Sequence, residues 1–276
     1  MSMNSFHRRS TRPAAPAPAT PEPAVDRHGL LRLDSLLVSR GLAPSRTVAQ
    51  RMIAAGRVTL NGSPLLKAAL ELAPDTPVEV EADEDERFVS RGGLKLAGAL
   101  AETGIAVAGK TCLDVGQSTG GFTDCLLQAR ARHVVGVDVG HGQLHARLRA
   151  DPRVTALEGI NCRALSAADL GDAKPADGFE LIVGDVSFIS MTLILPQLPP
   201  LLAPQGDLLL LVKPQFEVGP AHIGKGGIVR DPALYREVES KFFEFARISG
   251  LTVRGWLNSP ITGGDGNREF FIWLNK

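Results

Sequence analysis

The chain has 276 residues, 44% of them hydrophobic, with 30 basic and 30 acidic side chains. That length and apolar content fit one large or two modest folded domains and exclude wholesale disorder. The longest purely aliphatic run, residues 208–212, is far short of the roughly 18 residues that mark a membrane-spanning helix.

No apolar N-terminal stretch reads as a secretory signal. The three cysteines, Cys112, Cys125 and Cys162, contain no C-x-x-C pair. They are expected as buried thiols in a reducing cytoplasm rather than as disulfides or zinc ligands. The balanced charge hides a pattern. Arg27, Arg32, Arg40, Arg46, Arg51 and Arg57 face a single acid, Asp34, whereas residues 71–86 carry eight acids and no Lys or Arg. Such blocks predict a local basic surface rather than a generally basic protein.

Residues 1–28, rich in Pro and Ala and carrying Arg8, Arg9 and Arg12, read as a disordered tail. Residues 29–81 form a separate small module. Leu33, Leu36 and Leu37 have helical spacing, and Gly41 ends that helix. A second helix opens at Pro44-Ser45, with Ser45 as N-cap and Val48, Met52 and Ile53 as its buried face. Asn61-Gly62 then predicts a hairpin, and PVEVE at 77–81 a last strand. Arg40, Arg46, Arg51 and Arg57 lie off the apolar positions, a face suited either to phosphate or to plain solvation. Residues 82–91 read as a charged linker.

From residue 92 to 276, strands and helices alternate, predicting an α/β domain with a mainly parallel sheet. The expected strands are TCLDVG, HVVGVDVG, VTALEG, ELIVGDVS, DLLLLVKP, TVRGWLN and REFFIWL. Helices are expected from Gly121, from about 142, over an apolar stretch to about 202, and at 232–249. One of the last two strands is expected to be antiparallel.

The stretch CLDVGQSTGGFTDC, residues 112–125, predicts a strand that turns into a helix around Gly116, Gly120 and Gly121. It lacks the second glycine of G-x-G-x-x-G, and Phe122 stands where a phosphate loop needs lysine. Asp114 repels phosphate but suits an ammonium group. Asp138, at the end of the next strand, suits both hydroxyls of a ribose. An amino acid at one end and a ribose at the other describe S-adenosylmethionine better than NAD. Gly116, Ser118, Thr119, Gly120, Gly121, Phe122 and His141 complete the expected cofactor set. His141 and His145 have the spacing of a metal pair, but no third ligand is evident, and no metal is expected.

Polar residues at the ends of the other strands are candidates for chemistry, because ligands in open α/β sheets sit there. Asp185 follows ELIVG, Lys213 follows LLLLV, Glu269 opens the last strand and Lys95 precedes the first. Asp185 and Lys213 can pair as a structural ion pair at the sheet's rim. They can also act, since a lysine serves as a base when its surroundings favour the neutral amine.

Two resemblances sharpen these readings. Residues 31 to about 81 resemble the S4-type RNA-binding domain, which raises RNA contact above plain solvation for Arg32, Arg40, Arg46, Arg51 and Arg57, with Arg91 added to the set. SRGGLKL, LDVG-STGGFTDCLLQ, GVDVG-GQL, DVSFIS, LVKPQFE, GKGGIVRDP and GNREF resemble the haemolysin-A/TlyA family of S-adenosylmethionine-dependent ribosomal RNA methyltransferases, which carry an FtsJ-like domain. The resemblance implies a Rossmann-like domain with a seven-stranded sheet and a catalytic tetrad of Lys95, Asp185, Lys213 and Glu269. It implies 2′-O-methylation of a cytidine ribose in small- or large-subunit RNA, with no DNA or membrane partner. Gln117 stands where the family usually has a small residue, His141 where it usually has Tyr, and GINCR at 159–163 departs from its pattern. A membrane-lytic protein, a silent RNA-binding assembly factor and a dehydrogenase are the rival readings.

Overall fold

The structure is a computed structural model; it describes residues 29–43, 45–81 and 87–276. The expected tail, Pro44 and residues 82–86 of the expected linker lie outside the described residues. The chain divides into two compact units, Met1–Ala82 and Asp83–Lys276.

The first unit begins with β1 (Leu31–Arg32), α1 (Leu33–Ser39) and α2 (Arg46–Ala54). β2 (Val58–Leu60), β3 (Ser63–Pro64), β4 (Glu71–Leu72) and β5 (Val78–Val80) follow. Ser45 caps α2 by accepting from the Val48 amide. Asn61 and Gly62 both take positive φ between β2 and β3, the conformation an Asn-Gly hairpin turn demands. Leu33, Leu37, Ala49, Met52, Ile53 and Val58 form the core, while Val48 packs only partly against it. The β1–β4 pair is a two-residue pairing too short to read from alternation.

Beneath this unit's arginines lies Asp34, fully buried. Arg32 Nε and Nη2, Arg46 Nη2 and Gln50 Nε2 all donate to it, at 2.8–3.1 Å. These bonds outweigh burial and hold the carboxyl well below the usual range. Arg40 donates to the carbonyls of Pro74 and Thr76, and Arg57 Nε to that of Glu81. The arginines of the expected face are therefore not equivalent: Arg32, Arg40, Arg46 and Arg57 all support their own fold.

The second unit opens with α3 (Gly92–Thr103), β6 (Thr111–Val115) and α4 (Gly121–Gln128). It continues through β7 (His133–Asp138), α5 (Ala146–Arg149), β8 (Val154–Glu158), α6 (Ala167–Leu170) and β9 (Phe179–Gly184). β10 (Leu202–Val212), α7 (Pro214–Glu217), α8 (Pro232–Ile248), β11 (Thr252–Asn258) and β12 (Phe270–Asn275) complete it. Its sheet has seven strands in the order β11-β12-β10-β9-β6-β7-β8. β12 pairs antiparallel with both neighbours, and the other pairings are parallel. α3 and α4 contribute Leu96, Phe122 and Leu126 to the core on one face. On the other, α8 contributes Val238 and Phe242 beside Ile194, Leu195 and Leu198. Phe88, in the expected linker, is buried in the first of these clusters.

Two expected helices are corrected. The apolar stretch up to residue 202 forms three short 3₁₀ turns, at Met191–Leu193, Leu195–Gln197 and Pro199–Leu201. Pro196, Pro199 and Pro200 remove amide donors and clash with the preceding turn, so a continuous α-helix cannot form there. The helix expected from about 142 is only Ala146–Arg149, capped where His145 Nδ1 accepts from the Arg147 amide.

Candidate active site

The chain leaves β6 to build β7 and β8 on one side, then returns to β9 on the other. The carboxyl ends of β6 and β9 thus flank the point where the strand order reverses, where open α/β sheets place their ligands. Three cavities lie there. One of about 540 Å³ is lined by Gly116, Ser118, Asp138, Val139, Gln143 and Cys162, among others. A second, of about 320 Å³, holds Lys95, Lys213 and Glu269 together with Phe188, Gly227 and Asp265. A third, of about 140 Å³, shares Gly116, Ser118 and Asp185 with the first and Lys213 with the second.

The four candidate catalytic residues form two close ion pairs. Lys95 Nζ stands 2.6 Å from Glu269 Oε2, with both side chains below 10% exposure. Lys213 Nζ stands 2.6 Å from Asp185 Oδ1 and donates to Ser187 Oγ at 2.8 Å. α3 positions Lys95, the end of β10 positions Lys213, and the turn into β12 positions Glu269. Burying Lys95, Lys213 and Glu269 beside the half-buried Asp185 is tolerable only in such pairs, because each partner offsets the other's desolvation.

The glycine loop is held by its own protein. Gly116 has φ +85°, and a Cβ there would come within 2.5 Å of the Asp185 carbonyl. The amides of Gly116 and Gln117 both donate to the Val137 carbonyl. Asp138 accepts from the amides of Ser118 and Gly140, one on each oxygen, at 2.8 and 2.7 Å. This fixes its carboxylate at the wall of the 540 Å³ cavity with further lone pairs to offer. Ser118 Oγ donates in turn to Gln143.

Gln117 has a structural explanation. Its amide fills the space over Gly136 in β7, where a Cβ would fall 2.0 Å from Gln117 Nε2. Nε2 donates to Thr123 Oγ1 at 2.9 Å, and Thr123 donates to Asp114 Oδ2 at 2.7 Å. Asp114 is fully buried, and its Oδ1 has no partner among the described residues. Burial pushes its carboxyl up to about 7, against the Thr123 bond that favours the charge, and the negative charge of Asp185 adds to the rise.

In the unfolded chain an aspartate ionises near pH 4, as a rough figure. Between there and about pH 7 the folded protein keeps a proton that the unfolded chain has released, so stability falls as pH rises through that window. Asp114→Asn should flatten this slope. Urea unfolding at pH 5 and pH 8 checks it, and an undiminished loss in the variant contradicts the assignment.

Residues 88–276 match the FtsJ-like methyltransferase family, and residues 31–77 match the S4 domain. The chain belongs to the FtsJ-like methyltransferase family. It is 47% identical over 244 residues to a Bacillus subtilis (strain 168) protein named "Putative rRNA methyltransferase YqxC", covering 88% of this chain and 85% of that one. It is 45% identical over 243 residues to the 16S/23S rRNA (cytidine-2′-O)-methyltransferase TlyA of Mycobacterium tuberculosis (strain ATCC 25618 / H37Rv), covering 88% and 89%. A solved structure named "Putative hemolysin from Streptococcus thermophilus" superposes with a TM-score of 0.66 at 40% identity, covering 90% of this chain and 88% of that one.

Of the residues expected at this FtsJ-like methyltransferase's cofactor, Gly116, Ser118, Thr119, Gly121, Phe122 and Asp138 line the cavities. Asp114, Gly120 and His141 do not: Asp114 lies beneath the loop, Gly120 packs on Leu144 and Leu148, and His141 stands over Gly159. Arg91 donates to the Thr262 carbonyl. Sequence reasoning missed Ser187 and Phe188. Phe188 is 92% exposed and takes φ +63°, a costly conformation for a bulky residue. Its ring leans on Phe216, with centroids 5.4 Å apart, at the rim shared by the two larger cavities. The polar loop DVSFIS was its only sequence signal. Among the described residues, no helix is long and apolar enough to cross a membrane and no cluster could hold a metal.

Proposed function

We propose that the protein transfers a methyl group from S-adenosylmethionine to a ribose 2′-hydroxyl of ribosomal RNA. The observation that carries this reading is the pairing of Lys213 with Asp185 and of Lys95 with Glu269 around a cavity that opens beside the Asp138 cavity. The match of TlyA, a cytidine-2′-O-methyltransferase by name, supports cytidine in small- or large-subunit RNA as the target. A reducing cytoplasm suits three buried free thiols and a ribosomal substrate.

The residues present fit S-adenosylmethionine. The larger cavity lies within the range of small-ligand sites. Asp138 offers a fixed carboxylate to ribose hydroxyls, Ser118 and Gly116 supply the loop, and Asp114 beneath it, whose Oδ1 is an unfilled acceptor, would be drawn toward its charged form by a nearby ammonium group. When bound, S-adenosylmethionine supplies an electrophilic methyl group on a sulfonium that leaves as a neutral thioether. Lys213 takes up the 2′-hydroxyl proton at Nζ as it passes its own to the paired Asp185 carboxylate, while the oxygen's electron pair forms the new bond to carbon. Asp185 and Ser187 fix the position of Nζ. Lys95 and Glu269, in the same cavity as Lys213, orient the ribose. Phe188 offers a stacking surface for the target base, a common way of holding an unpaired nucleotide. Incubation with ribosomal RNA and labelled S-adenosylmethionine tests the reading through the site that acquires the label.

Among the described residues of the first unit, Arg51 is the exposed arginine that the fold does not engage. Arg51→Gln should therefore weaken RNA binding and reduce the slope of log K against log salt by about one, without loss of stability. Binding titrations from low to high salt check this, and an unchanged slope contradicts phosphate binding by Arg51.

A further inference from the structure

The motif GKGGIVR, residues 224–230, has no part in the chemistry described above, yet it walls the reaction cavity. Ile223 and Gly227 line it beside Lys95, Lys213 and Glu269. We propose that this segment is a second RNA-binding element, an arm whose Lys225 and Arg230 take backbone phosphates flanking the nucleotide in the cavity. The proposal rests on the RNA methyltransferase reading.

Three observations carry it. The first is charge. Lys225 and Arg230 are exposed and have no hydrogen bond or ion pair among the described residues. No acid occurs between Glu217 and Asp231, and Glu217 is itself buried against Lys241. Most other cations near the site are engaged, Lys95 and Lys213 in ion pairs and Arg91 on a carbonyl. The second is the cavity's own charge. Lys95 and Lys213 line it but are spent on Glu269 and Asp185, which leaves Asp265, among the described residues, as the unpaired charge on its wall, so the interior offers no free cation to a phosphate and admits a neutral nucleoside more readily. Phosphates on either side of an inserted nucleotide must be gripped outside, and the arm presents unpaired cations at that wall.

The third is preorganisation of an exposed segment. Asn267 is 1% exposed and spends its whole amide on the arm. Its Oδ1 accepts from the Val229 amide and its Nδ2 donates to the Gly227 carbonyl, both at 2.9 Å. Tyr235 donates to the Val229 carbonyl at 2.6 Å. Within the arm, the Gly224 amide donates to Ile228 and the Gly227 amide to Gly224, each at 3.0 Å. The turn therefore has its shape before any ligand arrives, which lowers the ordering cost of binding. Asn267 lies two residues from Glu269, so the arm and the catalytic carboxylate share one anchor.

The test uses the full chain carrying Lys225→Ala with Arg230→Ala. Salt-dependent binding to ribosomal RNA and steady-state methyl transfer are both measured. The expected result is a KM for RNA raised on the order of ten-fold with kcat within two-fold of the parent. The salt slope should become shallower by roughly 1.4–1.8, at 0.7–0.9 for each phosphate no longer neutralised. The exchange Lys225→Arg with Arg230→Lys keeps both charges and should keep the slope. An unchanged slope and KM overturn the arm, as does a slope that the charge-keeping exchange fails to preserve. Absence of methyl transfer by the parent protein overturns the methyltransferase reading instead, and the salt slope still decides the arm.

Discussion

Lys213→Ala should cut methyl transfer by roughly 10²–10⁴-fold, the usual contribution of a positioned acid or base, while S-adenosylmethionine affinity stays near that of the parent. The fold should survive the change. Asp185, the partner left behind, has a side chain 22% exposed, so water can solvate the charge that Lys213 had paired. Asp138 and the glycine loop keep their bonds, because none runs through Lys213. Calorimetric binding of S-adenosylmethionine beside a single-turnover transfer assay separates the two effects. Parental transfer rates in the variant refute the base assignment, and a matched loss of cofactor binding moves Lys213 into the cofactor site.

The second large effect falls on the other pair and on stability as well as rate. Glu269→Ala leaves Lys95 in a site where its side chain is only 9% exposed. Stranding one member of a buried pair costs about 3–5 kcal/mol. In a unit of this size that corresponds to a fall in Tm on the order of 10 °C. The double variant Lys95→Met with Glu269→Leu removes both charges and fills similar volume, so it should recover most of that stability. It should not recover methyl transfer, because the groups that orient the ribose are gone. Thermal melts and transfer assays on the parent, single and double variants make the comparison. A double variant as active as the parent reduces Lys95 and Glu269 to a structural ion pair.

What could be read from the sequence follows from which interactions are local. Period-two and aliphatic runs marked all seven strands of the sheet, and the lone antiparallel strand followed from the closeness of the last two. The acids and lysines at strand ends were legible because a charge directly after a buried run must be paired or used. Misread elements were those where a local rule competes with apolar content. Pro196, Pro199 and Pro200 break the stretch that hydrophobicity alone marks as helix. α3 opens on Gly92-Gly93, which hides a helix start, yet a Cβ on Gly93 would meet Phe88 at 2.2 Å.

The other misses are tertiary. Gln117 is intelligible only once β7 brings Gly136 beneath it. The arginine face looked uniform until the fold placed Asp34 under Arg32 and Arg46, and the Pro74 and Thr76 carbonyls by Arg40. The ties from Asn267 to Gly227 and Val229 span 38–40 residues, a separation that no local pattern reports.

The central claim is that this chain methylates a ribose 2′-oxygen of ribosomal RNA. Ribosomal RNA or subunits lacking the modification, incubated with the protein and isotopically labelled S-adenosylmethionine, then digested and mapped by mass spectrometry, test it most directly. The account predicts label on the ribose of one or a few cytidines, carried as 2′-O-methylcytidine and absent with Lys213→Ala. Label on a base, or no transfer to either subunit's RNA, would contradict it.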